Sequence, residues 1–396
     1  MNLFDYLERQ QASFDEEPLN VADSAALALF CMVDAKGITP GAYEPLEGNG
    51  PLLNAAADRV HALGTDAAHF TDFYHEGDYD IKGAEADEIG HELYLLSRNP
   101  RFADLKIRDY AEVFDRSTHT QFAATTYTYR DEWAYVGFRG TDGSFPGWRE
   151  NFDLAIDPPI RSQNIAVAYL NSVAAHLPDR IYVGGHSKGG NLATYAALNC
   201  AKPVQDRIAC VFDLDSPGFK PGELTSDDIK PLEGRIIRMV PEEDVVGQLL
   251  DTPVEPRVVR SEVRQMAQHS VFTWQISDTL DDFSYAPELS DYSKRTHEIM
   301  DRWLASMSKD ELVRLIDTVF EIVEASGVER VGQFFEGSSG ISGLVLTIAR
   351  SLDAQTVGAV LPALVRFGII STKVRTRDVP KDVQHARANM RVAFSR

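Results

Sequence analysis

Cysteine is scarce in this sequence, and the usual metal-binding patterns are missing. Only three cysteines occur among 396 residues, and Cys31, Cys200 and Cys210 form no spaced framework. The sequence therefore gives no support to a disulfide-stapled scaffold. We expect Cys200 and Cys210 to be buried thiols, because one ends a predicted helix and the other begins a predicted strand. Clustered Cys/His ligands and a glycine-rich phosphate loop are also missing, so the sequence predicts neither a metal nor a cofactor.

Basic residues are few as well. The sequence has 39 Lys and Arg against 60 Asp and Glu, which gives a formal net charge of −21. This balance argues against a nucleic-acid partner. The exception is 373–396, where seven basic residues accompany two acidic ones. A solvated helical end is favoured there over a phosphate-binding tail.

Long uninterrupted apolar runs do not occur. The most apolar stretch, 341–370, is broken by Arg350, Asp353 and Arg366, so no transmembrane segment is predicted. The first residues lack a basic segment followed by an apolar core, so no signal peptide is predicted either. The expectation is a cytoplasmic protein. Peripheral contact with a membrane and the oligomeric state are left open.

Helix and strand patterns divide the chain into three parts. Residues 1–115 are predicted to be mainly helical, and 116–275 alternate between strands and helices. Residues 276–396 are helical again, carry the basic tail and are candidates for a cap. The strand–helix–strand alternation predicts an α/β fold whose mainly parallel sheet is covered on both faces.

Local signals give three expected boundaries. Two β-rich runs meet at Arg130-Asp131 and predict a hairpin. Ser308 and Glu311 have the spacing of a capping box at a helix start. The last apolar helix is expected to end at Gly368, because glycine commonly follows a helix.

The stretch "GGHSKGGNLA", 184–193, places a serine among glycines. It follows the β-prone Ile181–Val183 and precedes a helix-prone run. A strand that ends in Gly-x-Ser-x-Gly and enters a helix is typical of a nucleophile elbow, which exposes the serine on a strained turn. The pattern predicts Ser187 as a nucleophile.

A serine nucleophile needs a histidine base. In enzymes with such an elbow the chain order is Ser, then Asp or Glu, then His. Only His269, His297 and His385 follow Ser187. His269 is favoured, because His297 lies in a charged helical run and His385 lies in the basic tail.

The acid that orients the histidine has two main candidates. Asp244 and Asp215 both follow predicted strands. Asp244 is favoured because its strand comes one later and its loop is bounded by a proline and a glycine. Glu243 is a remote third candidate.

The negative charge that forms on a substrate carbonyl needs N–H donors. One is the backbone N–H of Lys188, the residue after the nucleophile. A second is expected from Thr141, since Gly140 permits a tight turn after the preceding strand.

These motifs resemble those of the class 3, or fungal-type triacylglycerol, lipases. In that family a Phe/Tyr-Arg-Gly-Ser/Thr segment carries the oxyanion hole and a Gly-His-Ser-Leu-Gly-Gly elbow carries the nucleophile. The chain resembles a bacterial branch of the superfamily more closely. The shared motifs, in chain order, are "FDYL", "QFAA", "FRGTD", "GWRE", "GHSKGGNLA" and "QHS…W", from Phe4 to Trp274.

The resemblance implies an α/β-hydrolase fold, a Ser187–Asp244–His269 triad, and Thr141 and Lys188 as oxyanion donors. Lys188 replaces the usual leucine of the lipases. Its side chain is therefore expected at the surface, beside the pocket mouth, and an anionic substrate group that meets it there is the less favoured alternative.

The combined pattern predicts a serine hydrolase of acyl esters. A carboxylesterase or lysophospholipase-like activity on a small ester or lipid is favoured over a true triglyceride lipase. An acyltransferase or thioesterase on the same triad is the first alternative, because fold and triad do not choose the acyl acceptor. A binding protein that keeps the fold without turnover is the second.

Overall fold

A seven-stranded sheet forms the centre of the structure, a computed structural model that describes residues 1–33, 52–57, 86–325 and 354–377. The strand order in the sheet follows the sequence. The first two pairings are antiparallel and the other four are parallel. The strands are β1 Leu105–Asp115, β2 Thr120–Tyr129, β3 Trp133–Phe138, β4 Arg180–His186, β5 Ile208–Leu214, β6 Ile236–Pro241 and β7 Arg257–Val259.

Helices cover both faces of this sheet. On β3, Trp133 and Tyr135 join one buried cluster with the N-terminal helices, while Ala134 and Val136 join another on the opposite face. This alternation follows from the two-residue period of a strand. The helices are α1 Leu3–Arg9, α2 Val21–Phe30, α3 Ala86–Leu96, α4 Phe145–Ile156, α5 Arg161–Ala174, α6 Lys188–Asn199, α7 Lys202–Gln205, α8 Asp291–Ala305, α9 Lys309–Ala325 and α10 Ala354–Arg377. The predicted mainly parallel, doubly covered sheet is confirmed, and the architecture is that of an α/β-hydrolase fold.

The hairpin and capping predictions are confirmed. Strands β2 and β3 pair across the turn at Arg130. At the start of α9, Glu311 N donates to Ser308 Oγ, and Ser308 N donates to Glu311 Oε2. Beyond it, Leu312 and Ile316 pack against Ile156 at the end of α4, so the C-terminal helices contact the core.

Two local expectations are corrected. Helix α10 does not end at Gly368 but continues to Arg377, because Val374 and Ser371 beyond the glycine are buried and hold the helix in place. Strand β1 was not predicted at all. Its alternation is interrupted near Asp109, where a positive φ accompanies a shift in pairing register. The three-part division of the chain stays a prediction, and β1 lies within its first part.

The cysteines are free thiols. Cys31 and Cys200 are buried, and Cys210 is half-buried. Burial raises the pKa of the Cys200 thiol to about 11, so it stays protonated at neutral pH. Within the described ranges no helix is both long and apolar enough to cross a membrane.

A buried ion pair holds the N-terminal helices to the sheet. Arg101, just before β1, donates from Nε and Nη2 to the two carboxylate oxygens of Asp23 at 2.7 and 2.6 Å. Tyr6 of α1 donates its hydroxyl to the same carboxylate at 2.6 Å. Both charged side chains are fully buried, so each depends on the other to offset the loss of water.

Loss of one partner should therefore be costly. We expect Asp23→Ala to lower the free energy of unfolding by about 3–5 kcal/mol, because it leaves a buried guanidinium uncompensated. Urea unfolding followed by circular dichroism measures the change. The matched control is Asp15→Ala, which removes an exposed partner of Arg130 and should change the same quantity by less than about 1 kcal/mol. Equal losses in the two variants would contradict this role.

Candidate active site

Ser187 occupies a strained turn between β4 and α6. Its backbone has φ 57° and ψ −132°, a conformation that non-glycine residues seldom adopt. The turn lies against the end of β3, since a Cβ added to Gly189 would sit 2.2 Å from the carbonyl oxygen of Phe138. Glycine is required there by this close approach. The strand, turn and helix thus occur in the order that the sequence predicts.

The start of α6 offers an unused donor beside Ser187. Lys188 is the first residue of the helix, and the first N–H groups of a helix have no acceptor within it. Ser187 itself is held by its N–H, which donates to the carbonyl of Leu214 at 2.9 Å.

His269 lies against two buried carboxyl groups. Its Nδ1 is 2.7 Å from Asp215 Oδ2 and 3.9 Å from Asp244 Oδ2. The direct hydrogen bond therefore goes to Asp215, the second candidate of the sequence analysis, and not to the favoured Asp244. Asp244 Oδ2 instead accepts from the backbone of its own turn, from Val246 N at 2.5 Å and Gly247 N at 3.4 Å.

The two carboxyl groups cannot both ionise easily. Neither Asp215 nor Asp244 is exposed. Burial raises the pKa of Asp215 to about 8. Burial, and then the neighbouring charge of Asp215, raises the pKa of Asp244 well above its usual range. We infer that the pair holds a proton near neutral pH, as two close carboxylates do.

These three residues also have the spacing of possible metal ligands. In the described part of the chain, Asp215, Asp244 and His269 offer ligand atoms within 4.8 Å of one another. A cation bound there would compete for the atoms that now join His269 to Asp215. The donor set fits the hydrogen-bonded arrangement without a metal, and no step below depends on one.

The loop that carries His269 is fixed from three sides. His186 Nε2 lies 2.8 Å from the carbonyl of His269, and burial lowers the pKa of His186, so a neutral ring donates this bond. Trp274 Nε1 donates to the carbonyl of Gln268 at 2.8 Å. Gln268 Oε1 in turn accepts from Glu243 N at 2.7 Å. The "QHS…W" motif therefore positions the histidine.

The remaining acid and histidine candidates lie elsewhere. The Glu243 carboxylate accepts from Gln265 N at 3.2 Å. His297 is exposed on α8 and lies against the carbonyl of Gln248. His385 falls outside the described residues.

The loop after β3 lies beside the serine turn. A Cβ added to Gly140 would be 2.9 Å from the carbonyl oxygen of His186 and 3.5 Å from Ser187 Cβ. Thr141 is buried, and its hydroxyl donates to Asn151 Oδ1 of α4 at 3.0 Å. The structure therefore brings the loop that contains Thr141 next to the turn of Ser187.

The side chain of Lys188 is not at the surface, as the sequence analysis expected. It is fully buried, and its ammonium group donates to Glu150 and to two oxygens of Gln121. The expected surface position is wrong, because the side chain is buried. Its ammonium group is fully paired and excluded from water, so it also cannot contact a substrate at a pocket mouth. Sequence reasoning did not assign roles to Gln121 and Glu150, although the motifs "QFAA" and "GWRE" contain them.

Comparisons with known proteins give one family match and low similarity to solved lipase structures. Residues 96–321 match the model of a family described as Mbeg1-like. The chain is similar to the crystal structure of M37 lipase, with 16% identity, a TM-score of 0.30, and coverage of 44% of this chain and 65% of that one. It is also similar to the native propeptide complex of the Rhizomucor miehei lipase, with 17% identity, a TM-score of 0.32, and coverage of 50% and 66%.

The chain thus spans just under two thirds of the length of either lipase. These identities and TM-scores are too low for the activity of either lipase to bear on this chain. No curated protein shows a significant match. The family resemblance that the motifs implied is confirmed by the match to the family model, and the implied α/β-hydrolase fold is confirmed by the sheet.

The carboxyl pair predicts a pH-dependent stability. Because both pKa values are raised above their unfolded values, near 3.9, the folded state binds more protons than the unfolded state from about pH 4 to pH 8. Stability due to the pair therefore falls as pH rises. We expect the unfolding free energy of Asp244→Asn, relative to wild type, to rise between pH 5 and pH 8, because the variant lacks one of the two groups whose pKa is raised.

Denaturant unfolding at both pH values measures this gain. Asn keeps an acceptor for the N–H of Val246, so the turn is preserved. The exposed Asp179→Asn is the control and should show no such gain. A variant-minus-wild-type difference that is the same at pH 5 and pH 8 would argue against a buried proton-sharing pair.

Proposed function

The chain belongs to the Mbeg1-like family, and from that premise we propose that it is a serine hydrolase of acyl esters. The observation that carries the proposal is the buried hydrogen bond of 2.7 Å between His269 and Asp215. His269 also contacts His186, the residue before the strained turn of Ser187. A histidine oriented by a carboxylate, next to a serine on such a turn, is the arrangement that activates a hydroxyl nucleophile.

The reaction proceeds in two acyl-transfer steps. Ser187 Oγ attacks the ester carbonyl while His269 accepts its proton, and collapse of the tetrahedral intermediate breaks the ester bond. His269 returns the proton to the leaving alcohol, which gives an acyl-serine. Water then attacks the acyl-serine with His269 again as base, and releases the acid and the free serine. Nδ1 is held by Asp215, so Nε2 is the ring nitrogen that exchanges the proton.

Asp215 is the acid that orients the histidine in this proposal. Its carboxylate fixes the tautomer with the proton on Nδ1 and stabilises the imidazolium that forms during each step. Asp244 is the second carboxyl group. A negative charge on Asp215 raises the pKa of Asp244 and so favours its protonated, neutral form. The N–H groups of Lys188 and Thr141 would donate to the oxyanion.

The substrate class is part of the proposal. Small acyl esters or single-chain lipids, including lysophospholipids, are the proposed substrates. The buried ammonium of Lys188 gives no support for recognition of an anionic head group by that side chain. The substrate therefore has to be distinguished by an ester series.

Active-site labelling tests the nucleophile. We expect a fluorophosphonate probe to add once to the wild-type protein, because the activated hydroxyl attacks phosphorus. Ser187→Ala should show no adduct, and His269→Ala should react at least about 100-fold more slowly, since the general base is lost. Intact-mass spectrometry measures the adducts.

The matched control is Ser270→Ala, next to the base but not the nucleophile, which should label like wild type. Circular dichroism confirms that each variant is folded. A folded wild-type protein that stays unlabelled would overturn the hydrolase proposal and favour a binding protein with this fold.

The two carboxyl groups should differ in their effect on turnover. We expect Asp215→Asn to lower kcat by about 10³–10⁴-fold, because an amide that donates to Nδ1 selects the wrong tautomer. Asp244→Asn should lower kcat by only about tenfold, since it keeps the direct hydrogen bond. Hydrolysis of a short-chain p-nitrophenyl ester gives both values. The opposite order of effects would assign the orienting role to Asp244.

A further inference from the structure

The ammonium group of Lys188 has all of its hydrogen bonds inside the protein. Nζ donates to the carbonyl of Gln121 at 2.6 Å, to Gln121 Oε1 at 2.6 Å and to Glu150 Oε2 at 2.8 Å. An ammonium group has three N–H donors, so none remains for a ligand. A role for this side chain has to act through the protein.

The carboxylate that faces Lys188, Glu150, also accepts hydrogen bonds at both of its oxygens. Glu150 Oε2 accepts from Lys188 and from Gln121 N at 3.2 Å. Glu150 Oε1 accepts from Ser162 Oγ at 2.5 Å and from Ser162 N at 3.2 Å. The two charged side chains are 0% and 3% exposed. This closed network joins α6, β2, α4 and the start of α5.

Gln121 carries the network to the loop that contains Thr141. Its Nε2 donates to the carbonyl of Gly140 at 3.3 Å, and its Oε1 accepts from Asp142 N at 3.4 Å. One side-chain amide therefore contacts the residues on both sides of Thr141. The same Oε1 accepts from Lys188, the residue that supplies the other oxyanion donor.

We propose that the Lys188 ammonium group, with Gln121 and Glu150, is a positioning clamp that holds the N–H groups of Lys188 and Thr141 at a fixed separation. This inference rests on the proposed function, because it assumes that these two N–H groups bind the oxyanion. Lys188 would then have two roles. Its backbone N–H would bind the oxyanion, and its side chain would help to hold the N–H of Thr141 in place.

The physical cost of the pair supports a positioning role over simple stabilisation. A buried ion pair is often no more stable than apolar side chains of similar size in the same place. Leucine, the usual residue of the resembled lipases, would avoid that cost. A fixed donor separation is valuable, because an oxyanion hole works only when its donors are preorganised.

The test removes both charges together. Lys188→Met alone leaves the Glu150 carboxylate buried without a cation, whereas Lys188→Met/Glu150→Gln leaves no unpaired charge. We expect the double variant to fold and to lose roughly 10- to 100-fold in kcat with KM little changed, because the misplaced donors fail only in the transition state. Its affinity for a trifluoromethyl ketone, which forms a tetrahedral oxyanion on the serine, should fall by a similar factor.

Hydrogen exchange gives a readout that does not need turnover. The amide of Asp142 is bonded to Gln121 Oε1, so its exchange should become about tenfold faster in the double variant. The matched control is Arg101→Met/Asp23→Asn, which removes another buried ion pair at the N-terminal helices. The control is expected to lose stability while kcat, ketone affinity and Asp142 exchange stay as in wild type.

The outcomes separate the two proposals. A stable double variant with wild-type kcat, ketone affinity and Asp142 exchange would overturn the clamp and leave the hydrolase intact. An unlabelled, inactive wild-type protein would overturn the hydrolase proposal and with it the oxyanion role. In that case faster Asp142 exchange would show that Lys188 holds the loop only as a structural support.

Discussion

The close approach of the serine turn to the end of β3 is the constraint on which the site depends. The added-Cβ distance of 2.2 Å from Gly189 to the carbonyl of Phe138 leaves no room for a side chain. Because the turn is pressed against this strand, Ser187 takes a positive φ and the loop after β3 comes to lie beside it. The strained backbone of Ser187 thus accompanies the close approach of the two loops.

The sheet topology then gathers the other groups. Strand order follows sequence order, and the strands from β3 onward run parallel, so their carboxyl ends share one edge. Thr141, Ser187, Asp215, Asp244 and His269 each follow a successive strand, from β3 to β7. Five groups distant in sequence therefore meet without any long connection across the sheet.

Burial gives this edge its electrostatic character. Burial raises the pKa of both carboxyl groups beside the histidine, and the charge of Asp215 raises the pKa of Asp244 further. The charges of Lys188 and Glu150 are paired within a separate buried network. The site thus combines one charge pair that is fully satisfied with a carboxyl pair that holds a proton.

The sequence by itself determined the fold class, the serine turn and the set of residues that follow each strand, because glycine spacing and strand–helix alternation are local signals. It also predicted both carboxyl candidates, but only the tertiary structure decided that Asp215 makes the hydrogen bond to His269. That choice depends on how the loops after β5, β6 and β7 pack against one another. The position of the Lys188 side chain was decided in the same way, because its partners lie 67 and 38 residues away in the chain. Local sequence patterns do not predict such pairings, because the pairings form only when the strands and helices pack together.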